Sequence, residues 1–213
     1  MSSPEPSPSF VPAVRAQILA TEHWSLLGTR GTMWAEVMSR ITIHLTVVSA
    51  SLVVLALVAQ ASGFGTPFTV MSIGLASAAL ILGTLTGVRV ANASHDDSAL
   101  VLGMNRIRAA YVALDPGVAD YLVTSPDGGL AGLMRTYTMG LPRSTLSHVL
   151  GSTTMFVNVV NALIAGTLGA LVADAAGAGA AVVALVGVVC GLVYLGAWLE
   201  YGRRTFRFDP DPV

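Results

Sequence analysis

Long uncharged stretches alternate with polar stretches along the chain. Residues 41–88 contain no Asp, Glu, Lys or Arg, and their two arms, 41–60 and 68–88, are separated by a short Gly/Pro turn. About twenty helical residues rise ~30 Å, which matches the hydrocarbon core of a bilayer. Two more apolar stretches follow at 146–172 and 180–199. The pattern therefore predicts four transmembrane helices in two hairpins.

The polar stretches complete an all-α integral membrane fold. Apolar side chains recur at helical spacing after the second span, so that helix is predicted to continue into the cytosol and to stop at Asp115. An N-terminal amphipathic helix is predicted to end near Gly28, and it either lies on the membrane surface or packs on the cytosolic helices. The predicted organisation is a disordered tail (1–12), an amphipathic helix (13–31), a first transmembrane hairpin (32–90), a cytoplasmic helical linker (91–145), a second transmembrane hairpin (146–200) and a cytoplasmic tail (201–213).

Two details of this organisation depend on local turn and anchor signals. In the linker, a short helix is expected at 118–124, the stretch 130–142 is ambiguous, and Pro142 ends it. The third span is expected to begin near Leu146. The fourth span ends in an aromatic and basic cluster typical of a membrane-interface anchor, namely Tyr194, Trp198, Tyr201, Arg203, Arg204, Phe206, Arg207 and Phe208.

Charge sets the predicted orientation. Only 11% of the 213 residues are charged, and all 11 basic residues are arginines. They lie before the first span, between the second and third spans, and after the fourth, whereas the two short turns have none. Because cytoplasmic loops are enriched in basic residues, both termini are predicted to be cytoplasmic. The Arg, Ala, Val and Gly bias indicates a high-GC bacterial genome and hence a bacterial plasma membrane.

The charge, the cysteine count and the absence of catalytic motifs argue against several classes of function. A net charge of −1 gives no basic face for nucleic acid. The single cysteine, Cys190, excludes an intramolecular disulfide and a cysteine metal cluster, and its apolar surroundings indicate a packing residue. No catalytic or phosphate-binding motif occurs, so neither an enzyme nor a cofactor is predicted.

The first span carries a narrow stripe of small and polar residues. At 100° per residue these share one sector of the helix, opposite many of the large aliphatic side chains. The stripe is either a close-packing seam against another helix or the lining of a water-filled path in an oligomer. Its polar members are Ser39, Thr42, Thr46, Ser49 and Gln60.

The third span has a matching polar face formed by Thr154, Asn158 and Asn161. Unpaired amides are expensive at membrane depth. They either bond across helices or coordinate an ion, a water or a small polar solute, with Gln60 and Ser49 as possible partners. Two close-approach motifs, Gly83-x-x-x-Gly87 and Gly187-x-x-x-Gly191, support tight packing of the spans.

Histidine and aspartate residues offer weaker candidates. The trio His95-Asp96-Asp97 is a possible divalent-cation ligand set, but the simpler interpretation is that it is solvated or pairs with Arg89, Arg106 or Arg108. His44 and His148, near the ends of two spans, could titrate near neutral pH. Each is more often a hydrogen-bonded interface residue than a sensor. No metal site is predicted.

Three segments carry a resemblance. His23-Trp24-Ser25-Leu26-Leu27, the stretch ALVLGMNRIRAA at 99–110, and Leu114-Asp115-Pro116-Gly117 resemble an uncharacterised group of four-span actinobacterial integral membrane proteins, over about residues 16–205. That resemblance implies the fold but no activity. The amphipathic helix, the first hairpin and its cytosolic extension are also similar in architecture to SLATT-type two-transmembrane effectors, which implies pore formation.

Together these features predict a homo-oligomeric membrane protein that forms a pore for ions or small solutes. The stripe of the first span and the polar face of the third are the candidate lining. The alternative is a non-conducting membrane scaffold or accessory subunit, in which the same residues only join helices. The predicted partners are the lipid bilayer and further copies of the chain.

Overall fold

The computed structural model describes residues 12–141 and 144–205, and 88% of these residues are helical, with no strand among them. The helices in chain order are α1 (Pro12–Ser62), α2 (Thr66–Leu114), α3 (Gly129–Tyr137), α4 (Thr145–Leu150), α5 (Thr153–Ala175) and α6 (Ala180–Thr205), with a 3₁₀ helix at Pro116–Tyr121. Four of them, α1, α2, α5 and α6, are long and apolar enough to cross a membrane. The predicted all-helical fold with four such helices is confirmed.

Helix α1 differs from its prediction at its N-terminal third. The expected end near Gly28 is wrong, because α1 continues without a break through Gly28 and Thr32. A glycine weakens a helix by about 1 kcal/mol relative to alanine but does not end it unless a breaker follows. Here the Thr32 hydroxyl donates to the carbonyl oxygens of Gly28 and Thr29, and the helix runs on.

The end of α2 is confirmed, since the helix stops at Leu114. Asp115 then caps the 3₁₀ helix by accepting a hydrogen bond from the Gly117 backbone nitrogen at 2.9 Å. Proline at the next position fits this start, because its missing N–H would have no helical partner. The short helix is therefore 3₁₀ and ends at Tyr121, not at residue 124. The ambiguous stretch after it contains α3.

The third span is shorter than predicted. Its helix was expected to begin at Leu146, but α4 ends at Leu150 and α5 begins at Thr153. Ser152 caps α5, because its hydroxyl accepts from the Met155 backbone nitrogen at 3.1 Å. A Gly-Ser pair before a Thr-Thr start is a typical helix N-terminus, since serine favours the cap position.

The chain divides into two compact units. The polar unit comprises residues 12–33 and 95–141, and its apolar core is Val101, Met104 and Leu133. The apolar unit comprises residues 34–94 and 144–205.

In the apolar unit, α5 and α6 pack closely through glycines. A methyl group on Gly187 would lie 3.2 Å from the carbonyl oxygen of Gly166, and one on Gly191 would lie 3.0 Å from that of Ala162. The second close-approach motif is thus used against α5. Cys190 contacts the same helix at Gly169, as expected for a packing residue.

Some predictions fall outside the described residues. These concern the disordered tail, apart from Pro12, the end signal at Pro142, the side chain of His148, and the last part of the fourth-span anchor with the C-terminal tail, 206–213.

Candidate functional site

Helix α1 has one narrow buried face within the apolar unit. It is formed by Val37, Ile41 and His44, whose spacing of four and three residues places them on one side of the helix. His44 is only 2% exposed. An ionisable side chain on the buried face of an apolar helix is uncommon, and it marks a place where function is to be sought.

Helix α5 buries its two asparagines. Asn158 is 4% exposed and Asn161 is 0% exposed, and Val157, Ala162 and Ala165 are buried around them. Because they are three residues apart, the two amides lie on the same side of the helix. The polar face of the third span therefore points into the protein.

The first close-approach motif receives these amides. A methyl group on Gly83 would overlap Asn161 Oδ1 and would come within 2.7 Å of His44 Cε1. A methyl group on Gly87 would lie 3.2 Å from Asn158 Oδ1 and 3.3 Å from Trp198 Cζ2. The glycines of α2 thus make room for polar side chains from α1 and α5. At Gly83, only a hydrogen fits without displacement.

The polar cluster, defined as His44, Asn158 and Asn161, lacks hydrogen-bond partners. Both ring nitrogens of His44, both amide atoms of Asn161, and Oδ1 of Asn158 are buried and unpaired in the described part of the chain. The imidazole and the Asn161 amide lie close enough for a weak side-chain hydrogen-bond interaction, but no pair of their atoms meets the geometry of a formed hydrogen bond. Leaving such a group unsatisfied costs about 1–3 kcal/mol. Three side chains in this state are an energetic burden that packing alone does not explain.

The stripe of the first span lies elsewhere. Ser39, Thr42, Thr46, Ser49 and Gln60 are all exposed in the single chain. They point away from the buried face of α1, because at 100° per residue their sector is roughly opposite His44. The hydroxyls of Thr42 and Thr46 donate to the carbonyl oxygens of Met38 and Thr42, at 2.9 and 2.8 Å.

The predicted site residues therefore form two separate groups. The structure leaves Gln60 and Ser49 exposed, whereas Asn161 lies with His44 at Gly83 and Asn158 lies with Trp198 at Gly87. Thr154 belongs to neither group, and its hydroxyl lies 3.4 Å from the hydroxyl of Ser94. The assignment of each group to pore lining or helix seam stays a prediction.

The polar unit contains a different kind of buried polar site. Asp97, whose side chain is 3% exposed, binds Arg30 through both carboxylate oxygens, with the Nε–Oδ1 distance at 2.6 Å and the Nη2–Oδ2 distance at 3.2 Å. The hydroxyl of Tyr137 donates to Asp97 Oδ2 at 2.7 Å. Burial raises the pKa of Tyr137 to about 12, and the adjacent carboxylate contributes in the same direction. Asp97 thereby joins α1, α2 and α3.

A second buried group in the polar unit is also fully engaged. Asn105 donates to the backbone oxygen of Asp127 at 3.0 Å, and its own oxygen accepts from Arg108 and Thr136 at 2.7 and 3.0 Å. These bonds hold the loop before α3, and α3 itself, against α2. Loop and helix are positioned by one amide.

Sequence reasoning missed the partner of Asp97. Ion pairing was expected with Arg89, Arg106 or Arg108, but the partner is Arg30 from α1. Arg89 instead binds Glu36, at 2.6 Å. The continuous α1 explains the difference, since it carries Arg30 to a position alongside α2. Among the described residues, no group of three or more His, Cys, Asp or Glu side chains could hold a metal ion.

Comparison with protein-family models, with curated proteins and with solved structures found no match for this chain.

Proposed function

We propose that the chain is an integral protein of a bacterial plasma membrane that crosses the bilayer four times and assembles into a homo-oligomeric pore for ions or small solutes. The four apolar helices support the membrane location. The arginine distribution supports an orientation with both termini in the cytoplasm. Helices α1 with α2 and α5 with α6 then form two transmembrane hairpins, and the N-terminal part of α1 and the linker helices lie in the cytoplasm.

The exposed stripe on α1 is the observation that carries this proposal. A single chain leaves Thr42, Thr46 and Ser49 uncovered in the apolar segment 41–60 of α1, whose other exposed residues are mostly large and aliphatic. Lipid tails cannot hydrogen-bond to hydroxyl groups, whereas water or a neighbouring helix can. Copies of α1 arranged around an axis would turn this stripe inward.

The hydroxyl geometry favours the second candidate function, a non-conducting scaffold or accessory subunit. Thr42 and Thr46 already donate to carbonyl oxygens of their own helix, so neither hydroxyl needs water to be satisfied. A stripe of this kind packs well against a second α1 with no path between them.

Flux measurements on reconstituted protein separate the two functions. The full chain is placed in liposomes, and ion and small-solute flux is compared for wild type, Thr46→Leu and Leu52→Ile. Leu52 is also exposed, but at 100° per residue it lies about 120° around the same helix from Thr46. The pore proposal predicts flux in wild type and in Leu52→Ile, with a loss in Thr46→Leu.

Three results contradict parts of this proposal. Absence of flux across salts, pH and voltage, from a folded oligomer, supports the scaffold function. Flux that is unchanged in Thr46→Leu removes the stripe from the lining. A monomer in lipid, measured by mass or by cross-linking, removes the oligomer itself.

A further inference from the structure

The polar cluster offers hydrogen-bond donors and acceptors together. A neutral imidazole has one nitrogen that donates and one that accepts. Asn161 adds an amide group with both functions, and Asn158 Oδ1 adds an acceptor. The Cε1 edge of His44, which lies between its two nitrogens, faces Gly83 and the Asn161 amide. The side chains of His44 and Asn161, with their unpaired atoms, therefore lie next to each other at Gly83.

Ions are poor guests for this cluster. Residues 41–88 and 149–171 contain no charged side chain, so nothing there offsets the desolvation of an ion. A metal cation would bind only the acceptors, and Ca²⁺ takes about six to eight oxygen ligands where this cluster has two. An anion would bind only the donors. Either kind of ion leaves half of the cluster unsatisfied.

A small uncharged molecule with both functions can pair with the donors and acceptors of His44 and Asn161 at once. A buried water makes about three hydrogen bonds to otherwise unpaired polar groups, and such waters are an integral part of the structures that hold them. We propose that the polar cluster is a binding site for a water-sized, uncharged molecule that both donates and accepts hydrogen bonds. The site lies within one chain, so it requires neither the oligomer nor the pore proposed above.

Gly83 is part of this site. Its missing side chain leaves the space that Asn161 Oδ1 occupies beside His44. Any larger residue would displace the amide, and His44 and Asn161 would no longer lie next to each other. Gly74, on the same helix, has open space around it and provides a matched control.

Water is the probe for the test. The full chain is labelled with ¹⁵N histidine and valine in lipid bilayers, and water-edited solid-state NMR measures magnetisation transfer from water. The His44 ring signals are those lost in His44→Phe, and the buried Val157 amide, assigned through Val157→Ile, is the dry reference. Transfer to the His44 nitrogens is expected to be several-fold faster than to Val157. Asn161→Leu is expected to slow it to the Val157 rate, and Thr46→Leu is expected to leave it unchanged.

The measurement on the wild-type protein can overturn the proposal by itself, so the test does not depend on a variant that folds. Transfer to His44 as slow as to Val157 shows that the cluster is dry. Fast transfer that persists in Asn161→Leu shows that the cluster does not hold the water. A second experiment adds NaCl, KCl or MgCl₂ to the wild-type sample. The ¹⁵N chemical shifts of the His44 ring are expected to stay unchanged. A cation-specific shift that Asn161→Leu abolishes would replace the uncharged guest with a cation.

Discussion

The two units of the protein bury polar side chains in opposite ways. In the polar unit, Asp97 and Asn105 are each engaged by several partners from other parts of that unit. In the apolar unit, His44, Asn158 and Asn161 are equally buried, but five of their polar atoms have no partner in the described chain. The first arrangement is what a structural role requires. The second indicates side chains whose hydrogen-bond partners come from a molecule other than the described chain.

The comparison also separates two uses of glycine. Gly166, Gly187 and Gly191 let the backbones of α5 and α6 approach each other, which is a packing role. Gly83 instead faces an amide oxygen and an imidazole edge. The same close-approach motif thus serves packing in one pair of helices and accommodates polar side chains in another.

The largest effect is expected from breaking the Asp97 network. Asp97→Ala removes the bonds to Arg30 and Tyr137, and the polar unit should lose about 2–3 kcal/mol. The loss is at the low end for a buried pair because the Arg30 side chain is 35% exposed and water can reach it. Hydrogen exchange of the α3 amides should accelerate. Asp120→Ala, at an exposed carboxylate of the same unit, should have no such effect, and equal exchange in both variants would contradict the structural role.

A smaller loss is expected from filling the space at Gly83. Gly83→Ala forces Asn161 and His44 to move, and overpacking of this kind costs about 1–3 kcal/mol. Gly74→Ala should be neutral or stabilising, since alanine is the better helix former and meets nothing there. Unfolding of the two variants in mixed detergent is the measurement. Equal stability would show that the cluster tolerates a methyl group at Gly83.

The pH dependence of Tyr137 gives a still smaller, local effect. Its pKa is raised from 10.0 to about 12, so the unfolded chain loses the proton first as pH rises. The stabilisation from the neutral hydroxyl is complete below pH 10 and declines towards pH 12. Tyrosinate absorbance should show a late step that Tyr137→Phe removes and Tyr121→Phe keeps. A late step that survives in Tyr137→Phe would contradict this assignment.

Much of the fold could be predicted from the chain because its signals are local. Uncharged length identifies the four apolar helices, and Asp115-Pro116-Gly117 ends α2 where the turn chemistry requires. Gly28 was misleading, since a glycine ends a helix only where the following residues cooperate. The break before α5 lies at Gly151-Ser152, where a serine cap competes with continuation of the helix.

The site was harder to predict because its contacts are not local. Helical angles identified Asn158 and Asn161 as one face, but no pattern pairs them with Gly83 of α2 and His44 of α1. The Arg30–Asp97 pair joins residues 67 positions apart, and it became possible only because α1 is continuous. The sequence did contain one usable signal: a glycine on one apolar helix and an asparagine on another can pack together. Gly83 and Asn161 form such a pair.

The most direct test of this account compares two leucine substitutions of near-equal size. Asn105→Leu removes an amide that holds three partners, so it should destabilise the polar unit by about 2–3 kcal/mol. Asn161→Leu should cost clearly less, because its amide has no partner within the described chain and the cost of burying that amide is removed with it. The predicted result is a smaller loss of stability in Asn161→Leu than in Asn105→Leu, together with loss of water transfer to His44. A loss in Asn161→Leu as large as in Asn105→Leu would show that the cluster holds the fold, and would contradict the account.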